Sequence, residues 1–363
     1  MIYRFWFWFG WSVFGWMGLV SEGMASDPSF LLSPAQFRER CRNLSAPMRA
    51  ERSGVVPGVD GWLFLITEID HIGKGSFWGP AAKTVGVAQN EAWRDPMPAI
   101  LDFADQLKKN GVHLILMPVP PKVVIYPDRL WKDVQVNPKG ERLDAVHAEF
   151  FALLRNNGID VLDLTPMYMA AREGEPLYCQ TDSHWSGRGI QMASQAAAER
   201  IRERLGEAGK GSTPMRTMQA SVTFSGDLAR LLGASVSESR ILRTVMDPSG
   251  KKPVPDERAN VLILADSHGL VFHAGGDMHA EGAGLFEQVS FDLGYPVDVI
   301  AVRGSGATPA RINLLRKIQR DPSYLQRKKI VLWCFSAREF TESDGWRIVP
   351  LGQRSDTGGK ARP

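Results

Sequence analysis

The sequence predicts an α/β fold in which a parallel central sheet has helices on both of its faces. Five short segments consist almost entirely of apolar residues, and helical patterns alternate with them along the chain. Continuous apolar strands are buried on both faces, and an order of strand, helix and strand is typical of parallel sheets. The predicted strands are 112–119, 159–164, 261–265, 297–302 and 330–335.

Helical patterns fill the gaps between these strands. Asn137 and Thr308 each stand before a proline at the start of such a pattern, where their side chains predict helix caps. An apolar run at 62–66 follows Asp60-Gly61 and predicts a first strand. The predicted helices are 35–44, 97–110, 138–156, 186–205 and 309–320.

The chain divides into four predicted regions. The stretch at about 206–257 is rich in Gly, Ser, Pro and Lys and interrupts the alternation of strands and helices. We expect it to be an insertion with short elements of its own at the rim of the site. The four regions are a signal peptide or N-terminal anchor at 1–25, an N-terminal helix and linker at 26–58, a catalytic domain at 59–350 with the insertion at about 206–257, and a disordered tail at 351–363.

The first 25 residues resemble an export signal. Arg4 precedes an uncharged apolar run at 5–20, and Gly23-Met24-Ala25 is a small-x-small triplet that predicts a cleavage site. The alternative is an uncleaved inner-membrane anchor, although about 16 apolar residues fall slightly short of a comfortable membrane span. Both alternatives predict a periplasmic or cell-envelope location for the rest of the chain.

Composition and charge exclude nucleic acid as a partner. The 363 residues are 44% hydrophobic and 23% charged, which is the composition of an ordinary globular protein. The formal net charge of +3 is spread along the chain, with no run of like charges that would follow a phosphate backbone.

Three cysteines, without any CxxC pair, argue against zinc or redox chemistry. In an oxidising compartment two of them can form a disulfide, and we expect Cys41 to pair with Cys179. Cys334 lies within a predicted apolar strand, where a buried free thiol is common.

Polar residues that follow buried strands are candidates for a site, because ligands bind at the carboxyl ends of parallel strands. The strand 261–265 stops at Asp266-Ser267, and His268-Gly269 follow. A serine on the turn that leaves a strand exposes its oxygen above the sheet, while its own amide points at a developing oxyanion. Ser267 is therefore the candidate nucleophile.

The candidate base lies in a second polar segment, 181–187, which opens the predicted helix 186–205. We expect this segment, too, to follow a strand of the sheet. Asp182 and His184 are two residues apart, so in extended backbone their side chains point to the same side. The carboxylate then fixes the imidazole tautomer, and the other ring nitrogen takes the serine proton. A serine hydroxyl needs such a base at neutral pH.

These strings resemble one family. Asp266-Ser267 after an apolar strand resembles the GDS block of SGNH hydrolases, with Ala265 in place of glycine, and 181–185, Thr-Asp-Ser-His-Trp, resembles a block of the alginate O-acetyltransferase branch, the AlgJ and AlgX type. Two further strings, 60–65 and 114–122, resemble the same branch. Lys122 ends the second of them. A position facing the cleft is the alternative, and we expect the lysine to be solvated.

The resemblance implies a flavodoxin-like three-layer sandwich with rearranged motif order, since the Asp-His pair precedes the serine. It also implies O-acetyl transfer to an exported polysaccharide such as alginate or cellulose, through an acetyl group on Ser267. The acetyl donor would be a multi-pass membrane acyltransferase, and no metal or soluble cofactor is expected.

Besides the triad, the expected mechanism needs hydrogen-bond donors for the oxyanion of the tetrahedral intermediate. Val302-Arg303-Gly304-Ser305-Gly306 follows a predicted strand, so Gly304 and Gly306 are candidate backbone donors and Arg303 a candidate for a polar substrate group. The same glycines are equally compatible with an ordinary flexible loop.

Three alternatives remain open at this point. A carbohydrate esterase would use the same triad with water as acceptor, and a polysaccharide-binding assembly protein would keep the fold without the chemistry. A metal site is the third, because His268, His273 and His279 lie close together in sequence, but no HExxH or similar pair supports it.

Overall fold

The structure is a computed structural model, and it describes residues 30–50 and 54–352. The signal peptide or anchor predicted at 1–25 lies outside these residues, and so does most of the predicted tail. Leu351, which was expected to belong to a disordered tail, is buried, and its amide donates a hydrogen bond to Oε1 of Gln106 at 2.6 Å. The ordered body therefore extends further than predicted.

The centre of the molecule is a five-stranded parallel sheet in the order β10-β9-β11-β4-β6, which confirms the α/β prediction. Three two-stranded sheets surround it: β1 with β5, β2 with β3, and β7 with β8. In chain order the strands β1 to β11 are Phe30–Leu31, Val55–Pro57, Leu63–Leu65, His113–Val119, Val134–Gln135, Asp160–Val161, Arg216–Phe224, Glu238–Met246, Val261–Ala265, Asp298–Ala301 and Ile330–Ser336.

Helices pack against both faces of the sheet. Side-chain caps begin two of them: Asp95 accepts a hydrogen bond from the Met97 amide at 2.9 Å, and Ser186 accepts one from the Gly189 amide at 3.3 Å. In chain order the helices α1 to α12 are Pro34–Ala50, Ile66–Lys74, Ala82–Val85, Pro96–Lys109, Lys122–Ile125, Ala145–Asn156, Thr165–Ala170, Gly187–Leu205, Asp227–Leu231, Leu285–Leu293, Thr308–Arg320 and Glu339–Glu342.

Two hydrophobic cores, one on each face, hold the sheet between the helices. In β4, Ile115 and Met117 belong to one core, whereas Leu114 and Leu116 belong to the other. Side chains alternate between the faces of a strand, so a sheet covered on both sides needs apolar residues at every position. This is why the central strands are continuously apolar in sequence.

Some predicted boundaries were wrong. The helix expected at 138–156 begins at Ala145, because Asn137 instead supports a turn in which its side chain accepts the Lys139 amide at 3.1 Å. Thr308, expected as a cap, is itself the first residue of α11. Only Asp160–Val161 of the strand expected at 159–164 pairs with the sheet.

The predicted disulfide between Cys41 and Cys179 is also wrong, since all three cysteines are free thiols. Cys41 is a buried core residue of α1, and the Cys179 thiol lies 3.5 Å from the carbonyl oxygen of Trp185. Both act as small apolar side chains of one core, together with Cys334, and burial raises the pKa of each thiol.

The stretch 206–257 contains the long hairpin of β7 and β8, paired antiparallel over nine residues of each strand, with α9 between the two strands. Among the described residues, no helix has the length and apolar character needed to cross a membrane.

Candidate active site

Ser267 lies at the carboxyl end of β9, on a short 3-10 turn, Ser267–Gly269. The turn is fixed by the carboxylate of Asp266, which accepts hydrogen bonds from the amides of His268 and Ser336, both at 2.8 Å. Because Ser336 ends β11, the carboxylate also ties the turn to the neighbouring strand. Ser267 is only 8% exposed.

Asp182 and His184 lie in a loop directly before α8, and this loop does not leave a strand of the central sheet as expected. A bridge between Tyr178 and Trp185 closes the loop, supported by a hydrogen bond from the Cys179 amide to the His184 carbonyl at 3.1 Å. These contacts fix the conformation of the loop, although the loop belongs to no strand of the sheet.

The structure brings Ser267, His184 and Asp182 into one hydrogen-bonded chain. Nε2 of His184 lies 2.8 Å from Oγ of Ser267, and Nδ1 of His184 lies 2.6 Å from Oδ1 of Asp182. The same Oδ1 accepts the His184 amide at 3.0 Å. This is the order of atoms that base-assisted serine attack requires.

The electrostatics of the site keep the carboxylate charged and the imidazole basic. Burial alone would lower the pKa of His184, but the charge and hydrogen bond of Asp182, together with Asp227 and Asp266, raise it to about 9. Burial would likewise raise the pKa of Asp182, but His184 and His279 hold it well below its ordinary value. The neutral, proton-accepting form of His184 is therefore the major form only above about pH 9.

Two residues that the sequence did not single out as parts of the triad hold the second oxygen of Asp182. Oδ2 lies 2.7 Å from Nε2 of His279 and accepts the Asp227 amide at 2.7 Å. The Asp227 carboxylate accepts the Ser183 amide at 2.7 Å. No sequence signal pointed to these contacts, because 45 and 97 positions separate the partners from Asp182.

Lys122 was expected to be solvated, and this prediction was wrong. Its side chain is fully buried, and Nζ donates to the carbonyl oxygens of Leu63 at 2.6 Å, Gln180 at 3.1 Å and Asp182 at 3.1 Å. Three acceptors satisfy the three donors of an ammonium group. Lys122 therefore supports the Asp182 loop from behind.

The loop that carries the predicted oxyanion residues borders the nucleophile. Gly306 is buried, and a Cβ added to it would lie 2.9 Å from the Asp266 nitrogen, so glycine is needed for this close approach. Gly304 is exposed and has a left-handed φ of 93°. Arg303 is half exposed and pairs with Asp277 at 2.7 Å.

The three histidines that follow Ser267 do not form a common site. Nδ1 of His268 lies 3.2 Å from Asp266, Nδ1 of His273 lies 2.7 Å from Glu287, and His279 contacts Asp182. Within the described part of the chain, the one group of three such residues whose possible ligand atoms all lie within 4.8 Å of one another is Asp182, His184 and Asp227. Within this group, Asp182 and His184 are already hydrogen-bonded to each other.

A serine at the carboxyl end of a parallel strand, hydrogen-bonded to a histidine and through it to a buried carboxylate, is the arrangement found in serine hydrolases and acyltransferases of α/β architecture. The chain belongs to the family described as SGNH hydrolase-like domain, acetyltransferase AlgX, whose model matches residues 55–337.

Individual relatives carry names from the same branch. A probable alginate O-acetylase AlgJ of Pseudomonas syringae is 26% identical over 84% of this chain and 75% of its own length. A probable alginate O-acetylase AlgJ of Pseudomonas aeruginosa is 28% identical over 42% of this chain and 34% of its own length. The solved O-acetyltransferase domain of Pseudomonas putida AlgJ superposes with a TM-score of 0.56 and 22% identity, covering 79% of this chain and 92% of that one, and it shows the shared fold.

Proposed function

We propose that this chain is an O-acetyltransferase that moves acetyl groups to hydroxyls of an exported polysaccharide, of the alginate type, through an acetyl ester on Ser267. The observation that supports this most strongly is the hydrogen-bonded chain from Ser267 through His184 to Asp182. The names of the relatives, alginate O-acetylases, supply the substrate class.

The reaction has two halves. In the first, Nε2 of His184 takes the proton of Ser267 while Oγ attacks the acetyl carbonyl, and the imidazolium returns that proton to the leaving group. In the second, His184 deprotonates a sugar hydroxyl, whose oxygen attacks the acetyl-serine, and the proton returns to Ser267. Asp182 keeps Nδ1 of His184 protonated throughout.

Each half passes through a tetrahedral oxyanion. The Ser267 amide is at the first position of its helical turn, where an N-H has no partner within the turn, so it supplies one donor. We assign further contacts to the loop of Gly304 and Gly306, which lies beside Asp266. Arg303 is assigned to the rim, where a polar group of the sugar would pass.

Transfer requires that a sugar hydroxyl reach the acetyl-serine before water does. Ser267 and His184 are at most 8% exposed, which limits the access of water to the ester. An esterase with the same triad would use water as the acceptor, and the product assay below separates the two activities.

The donor and the compartment complete the proposal. The family scheme delivers acetyl groups through a multi-pass membrane acyltransferase, which we propose as the partner. The export signal expected at 1–25 would bring the chain to the periplasm, either free or anchored in the inner membrane.

A product assay tests this function. The protein is incubated with 4-nitrophenyl acetate and a mannuronate oligosaccharide, and the sugars are analysed by mass spectrometry. We expect an acetylated sugar with the wild type and with the exposed-serine control Ser249→Ala, and none with Ser267→Ala. Free acetate without acetylated sugar would identify an esterase, and acetylated sugar with Ser267→Ala would exclude the serine ester.

A further inference from the structure

His279 contacts the same carboxylate as the candidate base, from the opposite side. Asp182 is fully buried and offers Oδ1 to Nδ1 of His184 at 2.6 Å and Oδ2 to Nε2 of His279 at 2.7 Å. The His279 side chain is 4% exposed. One buried carboxylate is therefore held between two imidazole rings.

The backbone at His279, which makes this contact, is strained. Its φ of 73° and ψ of −51° are those of the γ-turn that residues with a Cβ seldom adopt, and the Ala280 amide closes the turn on the Met278 carbonyl at 2.9 Å. Phe272, in the same loop, also has a positive φ of 58°. Strain of this kind persists where the surrounding structure fixes it, and it is concentrated at functional sites.

Neighbouring contacts fix the ring and the loop. The His279 ring stacks on Phe224 of β7, with centroids 4.2 Å apart and planes inclined by 20°. The residue two positions before it, Asp277, pairs with Arg303 at 2.7 Å, and its carbonyl accepts a hydrogen bond from Arg230. The hairpin and the loop after β10 thus both hold the loop that carries His279.

We propose that His279 is a positioning residue of the acyl-transfer site, which holds Oδ2 of Asp182 so that Oδ1 stays directed at His184. The inference rests on the proposed serine chemistry and deepens it. Oδ2 also accepts the Asp227 amide at 2.7 Å, so His279 supplies the side-chain part of this restraint. Together the two donors oppose rotation of the carboxylate, and the imidazole of His184 keeps one orientation. His279 touches neither Ser267 nor the reacting atoms, so it acts through Asp182 alone.

Two substitutions separate positioning from simple support of the loop. His279→Phe keeps the ring against Phe224 and removes the donor, whereas His279→Gln keeps a donor at a similar reach. His273→Gln is the matched control, because His273 contacts Glu287 and not the triad. Hydrolysis of 4-nitrophenyl acetate gives kcat and KM, and circular dichroism on heating reports whether each variant is folded.

We expect His279→Phe to lower kcat by roughly 10- to 100-fold with KM little changed, and His279→Gln to recover most of that loss. We also expect the downfield proton resonance of the His184 Nδ1-H to broaden or disappear in His279→Phe and to remain in His279→Gln. This resonance is observed in the resting protein and needs no turnover.

The inference is overturned if folded His279→Phe keeps the wild-type kcat and the downfield resonance, or if His279→Gln is as impaired as His279→Phe. A different result would contradict the proposed function itself: Ser267→Ala that still hydrolyses the ester at the wild-type rate. The two failures are therefore distinguishable in one set of measurements.

Discussion

At the scale of single residues, the site depends on how a buried carboxylate is shared. Asp182 gives one oxygen to the candidate base and the other to a second histidine and a backbone amide. The charge of this carboxylate, in surroundings that exclude water, is what raises the pKa of His184 to about 9. The raised pKa of His184 thus follows mainly from Asp182, with smaller contributions from Asp227 and Asp266.

The pH dependence of the reaction tests this electrostatic account. The wild-type rate is expected to fall as the pH drops through about 9, because His184 becomes protonated and can no longer accept the serine proton. Asp182→Asn removes the negative charge that stabilises the imidazolium, so the acid limb should move to lower pH, while the maximal rate falls by roughly 10⁴-fold. Initial rates of ester hydrolysis across neutral and alkaline pH measure both effects. An acid limb that stays in place in Asp182→Asn would contradict the account.

Some of these residues could be predicted from sequence and others could not. Ser267 follows an apolar strand and Asp182 and His184 are two positions apart, so local patterns carried the prediction. Lys122 and His279 gave no such signal, since their role depends on partners that are 60 and 97 positions away. A lysine or histidine without a local motif is expected to be solvated or to have a structural role.

At the scale of elements, the Asp182 loop is supported from two sides. Lys122, at the start of α5, donates to two carbonyl oxygens of the loop, those of Gln180 and Asp182, and to that of Leu63 in β3. From above, the Ala229 amide at the hairpin's helix α9 donates to the Thr181 carbonyl at 3.1 Å. The geometry of the triad therefore depends on elements that contain no triad residue.

Lys122→Met should destabilise the fold by roughly 2–5 kcal/mol, because it leaves buried carbonyl oxygens without a donor. Urea unfolding measures the free energy of unfolding. Lys139→Met is the matched control, since Lys139 is exposed and should change this free energy by about 0.5 kcal/mol or less. Equal stabilities of the two variants would show that the ammonium contacts contribute nothing.

Gly226→Ala should impair catalysis although Gly226 lies in the insertion and is not a triad residue. A Cβ at this position would clash with the Thr181 carbonyl and the Asp182 nitrogen, so the hairpin or the loop must move. We expect kcat for ester hydrolysis to fall by roughly 10-fold or more, whereas the neighbouring Ser225→Ala should keep the wild-type rate. A wild-type rate in Gly226→Ala would mean that the insertion does not position Asp182.

At the scale of the whole molecule, the parallel sheet and the two hydrophobic cores on its faces determine how the helices are arranged around it. The apolar strands made this sheet predictable, because burial on both faces leaves a continuous hydrophobic signal. The pairing of β7 with β8 was not predictable, since β7 is mostly exposed and the segment that contains the two strands has few long apolar runs. Short or exposed strands are formed by tertiary contacts, which local sequence does not report.

The cysteines provide a test of the global packing. All three are fully buried and free, so a thiol reagent should label none of them in the native protein and all three after denaturation without reductant. Colorimetric thiol titration gives the count, and Cys41→Ala should reduce it by one. A single reactive thiol after denaturation would instead reveal the disulfide that the structure excludes.

Detection of the covalent intermediate tests the central claim most directly. The protein is mixed with 4-nitrophenyl acetate, quenched in acid, and analysed by intact mass and peptide mapping, before and after a mannuronate oligosaccharide is added. We predict one acetyl group on Ser267, which disappears when the sugar is added and reappears on the sugar. An unmodified Ser267 in protein that acetylates the sugar would contradict the proposed mechanism.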